Sequence, residues 1–214
     1  MATIGLSKPY YAIYKAVGNT VTYSNGGVLG KFTELSLTLN DADANILYAN
    51  NAPAESESAF TGGQVAISTD DLLPEVGSQV LGTRKEAVSG ITGLTTKDAA
   101  WYIDDDDSNA PYIGVGGILK KKINGQYKYV ALILNKVQLS TPGDQAVTQG
   151  EPVNWQTSTL NGTVMRSDAE KHPWRRKSSL LDTEADAELL IRSFLNIPDD
   201  VPSPPAPEDE EADA

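Results

Sequence analysis

The amino-acid sequence predicts an all-β fold, an antiparallel sandwich or barrel flanked by one helix near residues 71–81 and a C-terminal helix near 183–196. Three observations predict it. Apolar and polar residues alternate in several short runs, pairs of glycines separate these runs, and two long strand-like runs flank Asn124-Gly125. Alternation with a period of two, interrupted by turn residues, is typical of antiparallel sheets. The chain has 214 residues, enough to bury the core of one ordinary domain.

The first half of the chain contains two runs in which every second residue is apolar. These apolar residues are Leu35, Leu37 and Leu39 in the first run, and Val65 and Ile67 in the second. The polar residues between them would face solvent while the apolar ones face a core. Gly26-Gly27 and Gly62-Gly63 mark turns or bulges beside these runs.

A helix is predicted over residues 71–81. Asp70-Asp71 stand at its start and Gly82 follows its end. Acidic side chains favour a helix N-terminus, and glycine readily adopts the left-handed conformation that ends a helix. Four apolar residues recur on one side of the segment: Leu72, Leu73, Val76 and Val80.

Two long strand-like runs between Tyr112 and Leu139 meet at Asn124-Gly125, which favours the positive φ angles of a type I′ hairpin turn. The second run is apolar on both faces. One face is predicted to carry Tyr129, Ala131, Ile133, Val137 and Leu139, and the other Val130, Leu132 and Leu134. One face can fill the core of the chain. The other needs a cover, from a second layer of the same chain or from a neighbouring subunit, and the spacing leaves both open.

The second helix is predicted to begin at Thr183, because Thr183 and Asp186 have the spacing of a capping box. One apolar stripe follows at positions i, i+3, i+4 and i+7: Ala187, Leu190, Ile191 and Phe194. Such a stripe should dock on a sheet or on a neighbouring subunit. Pro198 is expected to end the helix.

Charge divides the chain into a domain, residues 1–197, and a tail, residues 198–214. Seven of the 29 acidic residues lie in the tail, which has no basic residue, so the first 197 residues carry 22 acids against 17 bases. The acidic, proline-rich tail cannot bury apolar area and is expected to be disordered. This balance argues against a protein that grips nucleic acid through its phosphates. The chain has no cysteine and no apolar run long enough to span a bilayer.

Several short motifs are candidates for chemistry, and a structural interpretation is favoured for each. Asp104–Asp107 could hold a hard cation, but the run lacks the alternating ligands of a calcium loop, so a solvated turn is favoured. His172, the single histidine, has no nucleophile motif to serve and fits an irregular loop. Gly114, Gly116 and Gly117 lie in a strand, where they indicate a bulge or a close backbone approach, not a dinucleotide loop.

Two basic clusters, Lys120–Lys122 and Arg175–Lys177, could contact phosphates, with Trp174 stacking on a base. On an acidic chain, contact with an acidic partner subunit or with solvent is favoured. No pair of carboxylates has a context that assigns acid and base roles. We therefore predict no enzyme, no catalytic residue, no cofactor and no metal.

Ten short strings also carry a resemblance to a known family, and they occur in the same order as in that family over about residues 1–197. They are Met1-Ala-Thr-Ile-Gly-Leu, Lys8-Pro-Tyr-Tyr, Val21-Thr-Tyr-Ser-Asn-Gly-Gly, Asn45-Ile-Leu-Tyr-Ala, Asn51-Ala-Pro-Ala-Glu-Ser, Thr69-Asp-Asp-Leu, the run from Tyr112, the run from Pro142-Gly-Asp to Trp155-Gln-Thr, Ala185-Asp-Ala-Glu, and Ser193-Phe-Leu-Asn-Ile. Together they resemble the major tail protein of long-tailed, siphovirus-type phages of Gram-positive bacteria, the protomer of the tail tube.

The resemblance implies a structural virion protein, made in the host cytoplasm, that polymerises as stacked hexameric rings around a tape-measure protein. It implies contacts with tail terminator and distal tail proteins, and a channel that DNA passes without specific binding or membrane insertion. The polar stretch from Asn50 to Phe60 is longer than the roughly 2–5 residues of a usual hairpin loop, so it is either mobile or engaged with a partner. The resemblance favours a loop that reaches the next ring.

A different class of function stays open from the residues alone. A monomeric β-sandwich module that binds carbohydrate or another surface would show an exposed row of aromatic side chains. Tyr10, Tyr11, Tyr14 and Tyr23 are the closest approach to such a row.

Overall fold

The computed structural model describes residues 2–41, 45–49, 52–57, 60–96, 98–143, 157–202 and 204. The elements in chain order are β1 Ala2–Val17, β2 Thr20–Val28, β3 Phe32–Asp41, β4 Asn45–Ala49, β5 Ala52–Glu57, β6 Phe60–Thr69, α1 Pro74–Leu81, β7 Arg84–Ala87, β8 Ala100–Ile103, β9 Tyr112–Ile123, β10 Gln126–Leu139, β11 Ser158–Val164, β12 Arg175–Lys177 and α2 Glu184–Phe194. The fold is therefore mostly antiparallel β-sheet with two short helices, as predicted.

One large antiparallel sheet holds most of the strands, in the order β2-β1-β9-β10-β11-β6-β3. Strand β10 pairs with β9 along one edge. Its other edge pairs first with β12, through Leu132–Leu134, and then with β11, through Val137–Leu139. Two small hairpins, β4–β5 and β7–β8, form separate two-stranded sheets.

Apolar side chains form one cluster on each face of the central strands β1, β9 and β10. On the first face they pack against residues of β3, β6 and β11, so the sheet curves around an interior that α1 closes with Val80 and Leu81. On the second face they pack against α2, through Ala187, Ile191 and Leu195. The second face of β10 is thus covered by a helix of the same chain.

The predicted faces of β10 need a correction beyond Leu134. Ala131 and Ile133 do face α2, but Val137 and Leu139 lie in the interior with Leu134. The pairing with β9 shifts register between Leu134 and Val137, because β10 has one extra residue there. Such a bulge moves every later side chain to the opposite face.

Helix α1 starts later than predicted. Pro74 stands in its first turn, where a missing N–H is tolerated, and Gly82 ends it with a φ of 77°. Asp70 does not open the helix. Its carboxylate accepts hydrogen bonds from the backbone N–H groups of Lys31 and Asp71, and Leu73 is 62% exposed, off the predicted stripe.

Helix α2 is capped as predicted, with the Thr183 hydroxyl accepting from the N–H of Asp186. The predicted stripe was wrong at Leu190, which is 47% exposed, whereas Glu188 is buried. Glu188 can be buried because β1 supplies it with hydrogen-bond partners. The helix ends at Phe194, before Pro198, and Asn196 follows its C-cap with a φ of 50°.

The hairpin turn at Asn124-Gly125 is confirmed, with φ angles of 49° and 81° at its two residues. The stretch predicted as a long loop is instead partly strand, because β5 pairs with β4 and β6 begins at Phe60. Asn50, Asn51, Ser58 and Ala59 lie outside the described residues. So do residues 205–214 of the predicted disordered tail and residues 144–156 of the tail-protein resemblance.

Within the described ranges, none of the helices is both long and apolar enough to cross a membrane.

Candidate functional site

The free edges of the large sheet are its first candidate site. Strands β2 and β3 end the strand order, and each pairs with one neighbour among the described strands. Strand β3 stays in regular register with β6 from Glu34 to Asn40. It has neither lysine nor proline, the residues that commonly protect an edge from pairing. Its outer backbone groups are therefore suited to pair with another chain.

The carboxylates of Asp104–Asp107 lie in an exposed turn. The Asp105 carboxylate accepts from the N–H of Asp107 and from the Arg84 side chain at 3.2 Å. The hydrogen bond from Arg84, followed by one from Ser108, lowers the pKa of Asp105. This is a solvated turn with an ion pair. Over the residues whose positions are described, no group of three or more histidines and carboxylates is arranged to hold a metal ion.

His172 lies in an exposed turn with a φ of 47°, and its Nδ1 is 2.9 Å from the Ser167 carbonyl oxygen. The same loop is anchored to the sheet by Asp168, whose Oδ2 accepts from Lys136 Nζ at 2.7 Å and from the Tyr14 hydroxyl at 2.8 Å. These two bonds, the one from Lys136 first, lower the pKa of Asp168. These contacts explain how the loop that contains His172 is held against the sheet.

The glycines of β9 mark close approaches, as predicted. A Cβ at Gly116 would lie 2.5 Å from Ile191 Cγ2, and a Cβ at Gly114 would lie 2.8 Å from Leu195 Cδ2. Gly117 faces the other way, and a Cβ there would meet the Phe32 ring at 2.7 Å. Glycine is thus required where α2 and the side chains of neighbouring strands rest on β9.

The four N-terminal tyrosines do not form an exposed row. Tyr10, Tyr11, Tyr14 and Tyr23 are at most 7% exposed, and their hydroxyls donate to Glu188, Gln79, Asp168 and the Asn135 carbonyl. Burial raises the pKa of Tyr11 and, further, that of Tyr23. This removes the feature that would have supported a surface-binding module.

The two basic clusters are brought to one sheet, because β9 and β12 flank β10 on opposite sides. Burial, and then the charges of Arg175 and Lys121, lower the pKa of Lys177. The Trp174 ring next to the second cluster is already packed against other side chains. It stacks on Phe60 with ring centres 4.2 Å apart, and the Arg175 guanidinium lies 4.4 Å from its ring centre.

A polar contact between α2 and β1 was not predicted from the sequence. Glu188 accepts from Lys8 Nζ and from the Tyr10 hydroxyl, and its other neighbour is Arg192, one turn later in the helix. The side chains of Lys8 and Glu188 are each 11% exposed. The spacing from Glu188 to Arg192 was the available signal, but it fits an exposed helix face equally well.

A pocket of about 340 Å³ was also missed. It lies where the end of α2 meets β2, β10 and β12, and its wall includes Tyr23, Asn135, Ser167, Arg176 and Phe194. The signal for it was Asn135, a polar residue within an apolar run of β10.

No protein-family model matches this chain, and no curated protein sequence matches it.

Proposed function

We propose that the chain is a structural protein that associates with copies of itself through strand edges, as the protomer of a phage tail tube built from stacked hexameric rings. The ordered resemblance over residues 1–197 supports the class. Self-association is supported mainly by the regular outer edge of β3, which pairs with no described strand. The apolar second face of β10 does not support it, because α2 covers that face.

The outer backbone groups of β3 have no partner among the described strands. An edge strand offers a row of N–H and C=O groups, and monomeric proteins usually block such a row with charges, prolines or bulges. In β3 the register is irregular only at the two ends, next to Phe32 and Asp41. Between them the edge is regular for seven residues, enough for a neighbouring strand to add.

The charge balance supports a channel that DNA passes. An excess of acidic residues produces a negative potential that repels phosphate and keeps DNA from binding. The β4–β5 hairpin, which leaves the large sheet between β3 and β6, is suited to reach a neighbouring ring. The tape-measure, terminator and distal tail proteins are the further partners that this function requires.

The test is a charge placed on the edge of β3. Thr38→Lys adds a cation at an exposed position of the edge strand, and Gln64→Lys adds the same cation to its cross-strand partner on β6, inside the sheet. Polymer formation is followed by light scattering and negative-stain microscopy. We expect rings or tubes from the wild type and from Gln64→Lys, and a loss of polymer for Thr38→Lys with an unchanged melting temperature. A wild-type protein that stays monomeric both at high concentration and with a tail initiator would contradict the proposal.

A second test addresses the hairpin. Deletion of residues 51–58 should leave thermal unfolding of the monomer nearly unchanged, because the segment offers little apolar area to a core. Tube formation should fail while lateral contacts through β3 persist. Normal tubes from the deleted protein would contradict the assignment of this hairpin to ring stacking.

A further inference from the structure

The pocket beside α2 combines a cation, a buried amide and an aromatic wall. Arg176 is exposed, and its guanidinium carbon lies 4.7 Å from the centre of the Phe194 ring. Stacking on a ring uses the face of the guanidinium and leaves the N–H groups in its plane available to a ligand. Arg176 makes no salt bridge with a carboxylate among the residues that the structure describes.

Asn135 supplies the amide. It is 2% exposed, and its backbone is fully engaged, since its N–H donates to the Trp174 carbonyl and its own carbonyl accepts from the Tyr23 hydroxyl. Its side-chain oxygen, however, has no hydrogen-bond partner. A buried amide oxygen without a partner is destabilising, and an N–H or O–H donor at this position would remove that penalty.

The remaining wall sets the size and character of a ligand. Ser167 is 1% exposed, and Tyr23 and Phe194 contribute aromatic surface. A volume of about 340 Å³ is at the lower end of the range of small-molecule sites, about 300–1,000 Å³. The pocket thus has room for a group of one or two amino-acid residues.

We propose that this pocket binds a carboxylate that carries an N–H donor close to it, the chemistry of an N-acylated amino acid or of an acidic peptide segment. The Arg176 fork holds the carboxylate, the Asn135 amide exchanges hydrogen bonds with the neighbouring peptide group, and Phe194 packs against the apolar part. This inference does not rest on the proposed tube function.

Two sources can provide this chemistry. One is a free N-acylated amino acid or peptide. The other is the chain itself, because residues 208–213 include five carboxylates, and only seven residues separate Asn196, at the pocket, from Pro204.

The first experiment is an NMR titration of ¹⁵N-labelled protein with N-acetylalanine, with the neutral N-acetylalanine amide as control ligand. We expect saturable shifts for residues around the pocket with N-acetylalanine and no saturation with the amide. Arg176→Gln should weaken binding at least tenfold. The control variant Arg175→Gln loses the same charge one residue earlier, on the opposite face of β12, and should bind like the wild type.

Asn135→Leu tests the amide. It should weaken binding while keeping the fold, which the amide spectrum reports directly. If Asn135→Leu does not fold, the comparison of Arg176→Gln with Arg175→Gln, at an exposed and a half-buried position of β12, still decides the question. Equal binding of the acid and the amide, equal losses in the two arginine variants, or no saturable shift at all would each overturn the proposal.

A further variant distinguishes the sources. Glu208, Asp209, Glu210, Glu211 and Asp213 are replaced by the corresponding amides. If the segment itself occupies the pocket, the variant should bind N-acetylalanine more tightly than the wild type, because a competitor is removed. If the affinity is the same in both, the ligand comes from outside the chain. Both results support the site, and they assign its occupant.

Discussion

The two faces of the central strands β1, β9 and β10 are both buried, but by different physical means. The interior face is covered by other strands and is almost entirely apolar, with Ile67, Ile113 and Leu160 fully buried. The α2 face is covered by a single helix that rests on two glycines and carries a buried carboxylate. The packing of the interior face is stabilised mainly by the volume of buried apolar side chains. The packing of the α2 face also requires a close fit of shapes and hydrogen-bond partners for its buried polar groups.

The difference follows from the shapes of the two covers. A sheet that curves onto itself brings alternating side chains together over a wide area, so many apolar residues suffice. A helix touches a sheet along a narrow stripe, so the stripe must fit closely. Here Ile191 and Leu195 lie over Gly116 and Gly114. The contact between Lys8 and Glu188 then fixes where the helix lies.

The largest expected effect is on the interior face. Leu160→Ala should lower the free energy of unfolding by about 2–5 kcal/mol, because it removes a fully buried side chain and leaves a cavity. Urea denaturation measures the loss. The matched control is Leu189→Ala on α2, which is 67% exposed and should change stability by less than about 0.5 kcal/mol. Similar losses in the two variants would mean that the interior is not the main source of stability.

The next effect concerns the buried polar contact of the α2 face. Glu188→Gln should cost about 3 kcal/mol, because it leaves the charge of Lys8 buried without its carboxylate. Glu75→Gln removes the surface pair between Glu75 and Lys85 and should leave the free energy of unfolding nearly unchanged, because solvent screens an exposed pair. Adding Lys8→Met to Glu188→Gln should restore part of the loss. If the double variant is as unstable as the sum of the single ones, the two residues are not coupled.

The close fit of the helix is tested at Gly116. Gly116→Ala should cost about 1–3 kcal/mol, because its Cβ would stand 2.5 Å from Ile191 Cγ2 and α2 would have to shift. Gly5→Ala is the control, since its Cβ would meet the flexible Lys120 side chain, with Lys120 Cβ at 3.4 Å and Cδ at 3.9 Å. Combining Gly116→Ala with Ile191→Ala should cost less than the two separate losses together. An additive result would contradict the contact.

The cap of α2 contributes less. Thr183→Ala should cost about 1 kcal/mol, because the N–H of Asp186 loses its acceptor. Hydrogen exchange should accelerate in the first turn of α2 more than in β9 or β10, which would show that the helix face opens locally before the interior does. Ser179→Ala, four residues earlier and exposed, should leave the exchange rates unchanged.

The smallest effect is a pH dependence of the loop that Asp168 anchors beside the α2 face. The folded pKa of Asp168 is lowered, so its stabilisation is present above the unfolded pKa of about 3.9 and is lost as the pH falls through the folded value. The difference in melting temperature between the wild type and Asp168→Asn should therefore be largest near neutral pH and shrink in acid. A difference that is constant with pH would show that the Asp168 charge does not contribute.

Local sequence patterns predicted the structure correctly where neighbouring residues alone determine the conformation. The alternating runs around Leu37 and Ile67 are strands, the Asn124-Gly125 turn is a hairpin turn, and Thr183 caps α2. The prediction was wrong at the bulge after Leu134 and at Leu190. A bulge changes which face later residues meet without changing the pattern itself. The side of a helix that is buried depends on what lies under it.

The all-β class, the two helices, the excess of acidic residues and the glycines at close approaches could be predicted from the amino-acid sequence, because each follows from local conformation or composition. Long-range packing was needed to show that α2 covers the second face of β10, that Glu188 is buried against Lys8 and Tyr10, and that Asn135 and Arg176 share a pocket. Those contacts join residues from about 40 to 180 positions apart. Their geometry is set by how whole strands and helices pack, which no short segment of the chain contains.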